Sequence, residues 1–352
     1  MKLSFRHISL LLLGTILSAC STTAPEEASR YFFPPAPAGP KIEYVKSYFS
    51  TQDLRPEKTS FATKYILGEE RPQSVFITPV DVVSDSHGRV FVTDTGLQQV
   101  LVLDTVGFEL RSLKPSGDAA QFAAPYGLAI DDIGRIYVSD VVARTISVFD
   151  RNEKFLFAIS NPDLARPTGL AVDTKNNRLY VVDTPLHRIA IFDLEGNLIK
   201  FMGERGDAAD QFNYPTDVDV DLYGNLYVMD SMNARVKVFD VAGQPLRTFG
   251  ERGTAAGSFS IAKNLALSRD GQVYVTDALE HKLIIFSLEG DLLLRIGSKS
   301  PASGGIAPGG FYLPRGVDVD QNSAVWVVDT LNKMVHNFQY LTPEYLRKHP
   351  IE

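Results

Sequence analysis

The stretch "LYVVDTPLHRIAIFD", Leu179 to Asp193, sets two apolar runs around a short polar turn. β-Branched and aromatic residues in runs of this length, broken by Thr-Pro, read as two strands joined by a tight connection. Asp183 and His187 stand four residues apart in that turn, in a chain with only six histidines. An acid and an imidazole so placed are suited to hold a metal or move a proton, or else to end a strand. The rest of the chain decides between these, because the stretch is repeated. Aligned on Asp183, six segments appear: "RVFVTD" ending at Asp94, "RIYVSD" at Asp140, "RLYVVD" at Asp183, "NLYVMD" at Asp230, "QVYVTD" at Asp277 and "AVWVVD" at Asp329. One position in each is aromatic: Phe91, Tyr137, Tyr180, Tyr227, Tyr274 and Trp326.

Each unit has a Pro-x-Gly-like lead-in, an apolar run, a Gly or Asn turn, the aromatic run and a polar turn. Two further runs complete it, such as "VKVFD" and "PLRTFG". Four short strands repeated at this period predict the blades of a β-propeller, so the fold class is all-β and six-bladed. The last unit supplies only three strands before "TPEYLRKHPIE", while an unassigned run, "KIEYVKSYF" (Lys41 to Phe49), precedes the first complete unit. Placed as the outer strand of blade six, that N-terminal strand closes the ring and removes an open edge. The propeller is expected over 41–341 and a short C-terminal helix, capped by Thr342 with Pro343 in its first turn, over 342–352.

The N-terminus carries an address. Lys2 and Arg6 precede an apolar run from Leu10 to Leu13, and the segment ends in "LSAC" at Cys20. It is too short to span a membrane and reads as a signal peptide over residues 1–19. Its end resembles a bacterial lipobox, which implies a lipoprotein cleaved before Cys20 and lipidated there, with palmitate-type acyl chains holding it to the membrane. Cys20 is the only cysteine, so no internal disulfide or thiolate metal site exists and the fold depends on core packing. Residues 20–40 hold five prolines after the cysteine and read as a tether. Tyr31, Phe32 and Phe33 within it are candidates to dock on the body. Ser21, where an aspartate would imply inner-membrane retention, points to the outer membrane. Cleavage leaves 33 basic against 42 acidic side chains, a formal charge of −9, which disfavours nucleic acid as a partner.

The lead-in "PTGLAVD" (Pro167 to Asp173), the "LYVVD" run and "RIAIFD" resemble NHL repeats, a resemblance that covers about residues 75 to 340. The connection "GERGDAADQFNYPTD" (Gly203 to Asp217) and its relative "GERGTAAGSF" fit it too. The resemblance implies a propeller that binds through a loop face. It also implies a protein partner in an exported complex, because relatives with a Pro-rich tether look like accessory proteins of such systems. Fold alone does not choose a function here. Among enzymes, the turn histidines resemble those of the peptidyl-hydroxyglycine amidating lyase, which implies zinc held by histidines of alternate blades. His187 and His281 lie in blades three and five, but Gln98 stands at the third position and Lys282 follows His281 where an acid is needed. The alternative function is therefore a metal-dependent lyase or hydrolase centred on His187 and His281.

The recurrence of the aspartate in all six units favours a turn cap over a catalyst. The residues four beyond it vary: Gln98, Arg144, His187, Ala234, His281 and Lys333. Those after the lead-in proline position vary too: Val80, Tyr126, Thr168, Thr216, Lys263 and Arg315. Together they predict a locally basic rim of Tyr126, Arg144, His187, Lys263, His281, Arg315 and Lys333. Such a rim suits a carboxylate-bearing small ligand, a peptide terminus or an acidic partner surface. Asp81, Asp217, Asp219 and Asp318 on the innermost strands are either amide caps or oxygen ligands for calcium. No nucleophile elbow or phosphate loop is present.

Overall fold

The computed structural model describes residues 30–35, 38–39, 41–55, 73–85, 87–114, 121–300 and 307–351. Within residues 31–351 the chain forms six antiparallel sheets, five of four strands and one of five. Blade three shows the common plan. Its inner strand Pro167–Asp173 pairs with Arg178–Asp183, which pairs with Arg188–Phe192, which pairs with the outer strand Leu198–Met202. The inner strands of successive blades touch in cyclic order, with that of blade six, Pro314–Val319, against that of blade one, Pro79–Ser84. The fold is a six-bladed β-propeller.

Periodicity explains which strands lie where. The second strands are buried on both faces, because each sheet is covered by a neighbouring sheet on either side. The outer strands alternate, as Phe155–Ser160 does, since solvent meets them. The hydrophobic core is accordingly divided into seams between blades. Tyr137, Ile146 and Val148 of blade two meet Leu179, Val181 and Phe192 of blade three, and five further seams repeat the arrangement. The aromatic position of each unit lies in these seams, fully buried for Phe91, Tyr137, Tyr227 and Tyr274.

Ring closure follows the sequence expectation. Ile42–Tyr48 pairs antiparallel with Met334–Tyr340, Ile42 opposite Tyr340 and Tyr48 opposite Val335. Thr342 accepts the Tyr345 amide and caps the helix Pro343–Lys348. The end of the tether docks on the body, as its aromatics suggested. Tyr31–Phe33 adds a fifth strand on the far side of Ile42–Tyr48, with Phe33 in edge contact with Phe338 at 6.5 Å. These aromatics cover the sheet edge, so the sheet begins at Tyr31 rather than at Lys41. The expected signal peptide, Cys20 and most of the expected tether lie outside the described residues.

Candidate functional site

On one face lie the loops leading into the inner strands and the turns joining second to third strands. The six aspartates organise both. Asp94 accepts the amides of Ile77 and Thr78 in its lead-in loop, and those of Gly96 and Leu97 in its turn. Asp140 does the same for Ala123, Ala124, Val142 and Ala143, and Asp277 for Ser260, Ile261, Leu279 and Glu280. Asp183 binds the amides of Ala165 and Arg166. Asp230 and Asp329 bind those of Asn213 and Tyr312, with an asparagine side chain completing each set. All six are buried caps that hold a loop to its own blade.

The position four residues on is left-handed in every blade: φ is 57° at Gln98, 58° at Arg144, 54° at His187, 55° at Ala234, 55° at His281 and 55° at Lys333. In three blades the side chain there reaches the lead-in of the next blade. Gln98 donates to the Ala123 carbonyl. His187 Nδ1 accepts the Tyr214 amide at 3.0 Å, and His281 Nδ1 accepts the Leu313 amide at 3.1 Å. Their rings also touch Tyr214 and Tyr312. Each neutral imidazole that accepts through Nδ1 carries its proton on Nε2, which then has no lone pair for a metal. The expected zinc pair is thus two separate fasteners, in the seams from blade three to four and from five to six. Among the described residues no three His, Cys, Asp or Glu side chains are grouped to hold a metal ion. Both imidazoles are pushed below the ordinary pKa, first by burial and then by the charges of Arg205 and Lys299 respectively.

The expected basic rim divides as well. Tyr126, Lys263 and Arg315 meet at the axis with Thr216, whereas Arg144 and Lys333 are exposed on the outer turns. Arg315 Nη2 donates to Tyr126 Oη, and its guanidinium lies 5.3 Å from the Tyr126 ring centre. Arg166, which the sequence reading missed, places its guanidinium 5.8 Å from the same ring. It immediately precedes the blade-three lead-in, which begins at Pro167, and so lies outside the positions compared between blades. Beneath this plug remains about 10 Å³, room for roughly one water.

Below the plug the inner-strand acids stitch blades together. Asp81 accepts the Leu128 amide of blade two, Asp217 and Asp219 accept the Leu265 and Leu267 amides of blade five, and Asp318 accepts the Ser84 amide of blade one. Asn264 plays the same part for Val317. Blades two and three have Gly127 and Gly169 at the register of Asp81, because a Cβ there would come within 2.1 Å of the Thr168 carbonyl and of Asp217 Oδ1. The amide-cap reading of the four acids therefore accounts for their placement. Burial raises Asp81 and Asp318 to about 7 and Asp219 to about 6. Asp217 is raised well above the carboxylate range, by burial and then by the Asp81 charge. The channel widens away from the plug, through about 120 Å³ to a funnel of about 490 Å³ on the opposite face. Its rim is mainly acidic: the turn aspartates Asp85, Asp131, Asp221 and Asp320 cap their own tight turns there.

Comparison with known proteins agrees with this architecture. Residues 164–192 match the family model of the NHL repeat. A segment of 57 residues is 44% identical to the E3 ubiquitin-protein ligase NHLRC1 of Homo sapiens and 46% identical to that of Rattus norvegicus. It amounts to 16% of this chain and spans only 14% of the length of those relatives. A streptogramin B lyase structure superposes with TM-score 0.56 at 13% identity, covering 75% of this chain and 94% of the lyase chain. A protein of unknown function from Bacteroides thetaiotaomicron gives TM-score 0.61 at 13% identity over 85% of this chain and 75% of its own. A chain of Kuenenia stuttgartiensis hydrazine synthase gives 0.52 at 13% identity, over 78% and 98%. At such identity the likeness is one of fold. This chain is a six-bladed propeller that carries an NHL repeat.

Proposed function

We propose that the chain is a membrane-anchored extracytoplasmic lipoprotein whose propeller is a binding scaffold, receiving a protein or a ligand on its loop face. The carrying observation is a ring of apolar side chains held out to solvent there. Two or three residues past the capping aspartate stand Val142, Leu186, Met232, Leu279 and Leu331, with exposures from 42% for Leu186 to 65% for Val142. Water solvates these side chains at a cost, and repetition in five blades makes a surface of them rather than scattered exceptions. The plug of Arg166, Lys263 and Arg315 gives that surface a positive centre on an acidic chain. Anchoring rests on the basic start, apolar run and lipobox-like end at Cys20, and the outer-membrane location on Ser21. No helix of the described residues is long and apolar enough to cross a membrane, so lipid on Cys20 would supply the attachment.

The reading is tested with the full-length chain expressed in a Gram-negative host. Wild type is expected in the outer-membrane fraction with a defined set of co-purifying proteins, and Cys20→Ser in the soluble fraction. The double variant Met232→Glu/Leu279→Glu is expected to keep its circular dichroism and lose those proteins. Retention of every one of them would refute the loop face as the binding surface. Stoichiometric metal in the wild type, lost from His187→Ala/His281→Ala, would replace the scaffold with the metal-dependent lyase or hydrolase.

A further inference from the structure

Two guanidiniums flank one tyrosine at the axial mouth of the loop face, and a lysine lines the same mouth. Arg166 and Arg315 both lie within 6 Å of the Tyr126 ring centre, at 5.8 and 5.3 Å, and the lysine is Lys263. None of the three has a carboxylate partner within ion-pair distance among the described residues, where the pairs are made by other arginines, lysines and a histidine. Their mutual repulsion is felt: burial first and Arg315 second push the Lys263 ammonium down. One layer deeper Asp81 acts on Arg315 only at longer range, with no direct ion pair, while its own carboxylate is engaged by the Leu128 amide. A second, uncharged group is also left incomplete. Thr216 Oγ1 lines this mouth, is shielded from solvent and has no hydrogen-bond partner. Gathered like charges with no carboxylate in direct contact are costly in a partly covered site, and an oxyanion would relieve them.

We propose that Arg166, Lys263 and Arg315, with Thr216 Oγ1, form a carboxylate-binding site at the axial mouth, and that it takes a carboxylate of a docked peptide segment. The inference rests on the loop-face reading above and deepens it. A guanidinium matches a carboxylate in plane and spacing, and two of them here are held by one aromatic ring. The space beneath the plug, about 10 Å³, keeps the anion on the surface rather than in the channel. The apolar ring around the mouth, Met232 and Leu279 included, then meets the residues flanking that carboxylate.

Calorimetric titration of the purified full-length chain tests this without any cellular partner. The probes are acetate, inorganic phosphate, a short acetylated leucine-rich peptide with a free C-terminus, the same peptide amidated, and an amidated version carrying one internal glutamate. Both carboxylate-bearing peptides are expected to bind more tightly than acetate, with an affinity that falls as salt rises, and the uncharged amide is not. A preference between the free terminus and the glutamate identifies the source of the group. Arg166→Gln, at an exposed position, and Arg315→Gln are each expected to weaken binding about tenfold or more. Arg144→Gln and Lys333→Gln, which alter the same net charge away from the mouth, are expected to bind as wild type does. Absence of peptide binding at millimolar concentration, equal loss in all four variants, or tighter binding of phosphate than of either carboxylate peptide would overturn the proposal. Loss of co-purifying proteins from Met232→Glu/Leu279→Glu together with no carboxylate binding would leave the scaffold standing and remove this site alone.

Discussion

The carboxylate of Asp183 reaches back 17 residues to the Arg166 amide of its own blade, whereas the imidazole of His187 reaches forward 27 residues to the Tyr214 amide of the next. Repetition made the first role legible, because a residue required in every unit serves the unit. The second was illegible, because the side chain varies and its partner lies in a loop with its own left-handed residue, Tyr214. Acceptance through Nδ1 also sets a pH dependence. Protonation would oppose two N–H groups, so the folded chain binds fewer protons at His187 and His281 than the unfolded chain does below the ordinary value of 6.5. Their contribution to stability is therefore present above about pH 6.5 and is lost as pH falls below it. Denaturant midpoints are expected to decline from pH 7 to 5.5 by less in His187→Asn/His281→Asn than in wild type, since asparagine tolerates the left-handed turn and does not titrate. An unchanged slope would show that the imidazoles do not act as acceptors in solution.

At the scale of elements, closure of blade six is the feature on which the others depend. Ile42–Tyr48 contributes to two seams at once: Ile42 lies in the core shared with blade five, and Tyr48 packs with Trp326 in the core shared with blade one. Beside them Ser47 Oγ, half-buried, meets His336 Nδ1 at 2.7 Å, and His336 Nε2 faces the fully buried Asp329 Oδ2 at 3.3 Å, a line of polar contacts across the join. Ile42→Ala is expected to lower stability by about 2–5 kcal/mol, the usual cost of truncating a buried aliphatic side chain. Measured by denaturant unfolding, a loss below about 1 kcal/mol would mean that the strand is not seated in solution. The position of Lys41 to Phe49 was legible because blade six was one strand short. The added strand Tyr31–Phe33 was not, because proline-rich flanks mask a run of only three residues.

At the scale of the molecule, the inner-strand acids oppose the histidines. Burial raises Asp219 and Asp318 above the unfolded value of 3.8, to about 6 and about 7, so the folded chain holds more protons between those limits. Their contribution is fully present below pH 3.8 and is lost as pH rises through 6 to 7. Asn264 shows that a carboxamide accepts the neighbouring amide equally well. Asp318→Asn is therefore expected to raise stability at pH 8 by on the order of 2 kcal/mol while leaving pH 4 nearly unchanged. The same stability gap between the two pH values in variant and wild type would refute the assignment.

By itself the sequence determined the number of blades, the strands within them, the cap at each aspartate and the join between the ends. Those features repeat, and a repeat carries its own internal control. Only the tertiary structure decided that His187 and His281 fasten separate seams, that Arg166 joins Tyr126 and Arg315, and that Arg144 and Lys333 stay outside the mouth. The reason is that these side chains meet across blades, where the partner is fixed by the packing of one sheet against the next. No spacing along the chain encodes that distance.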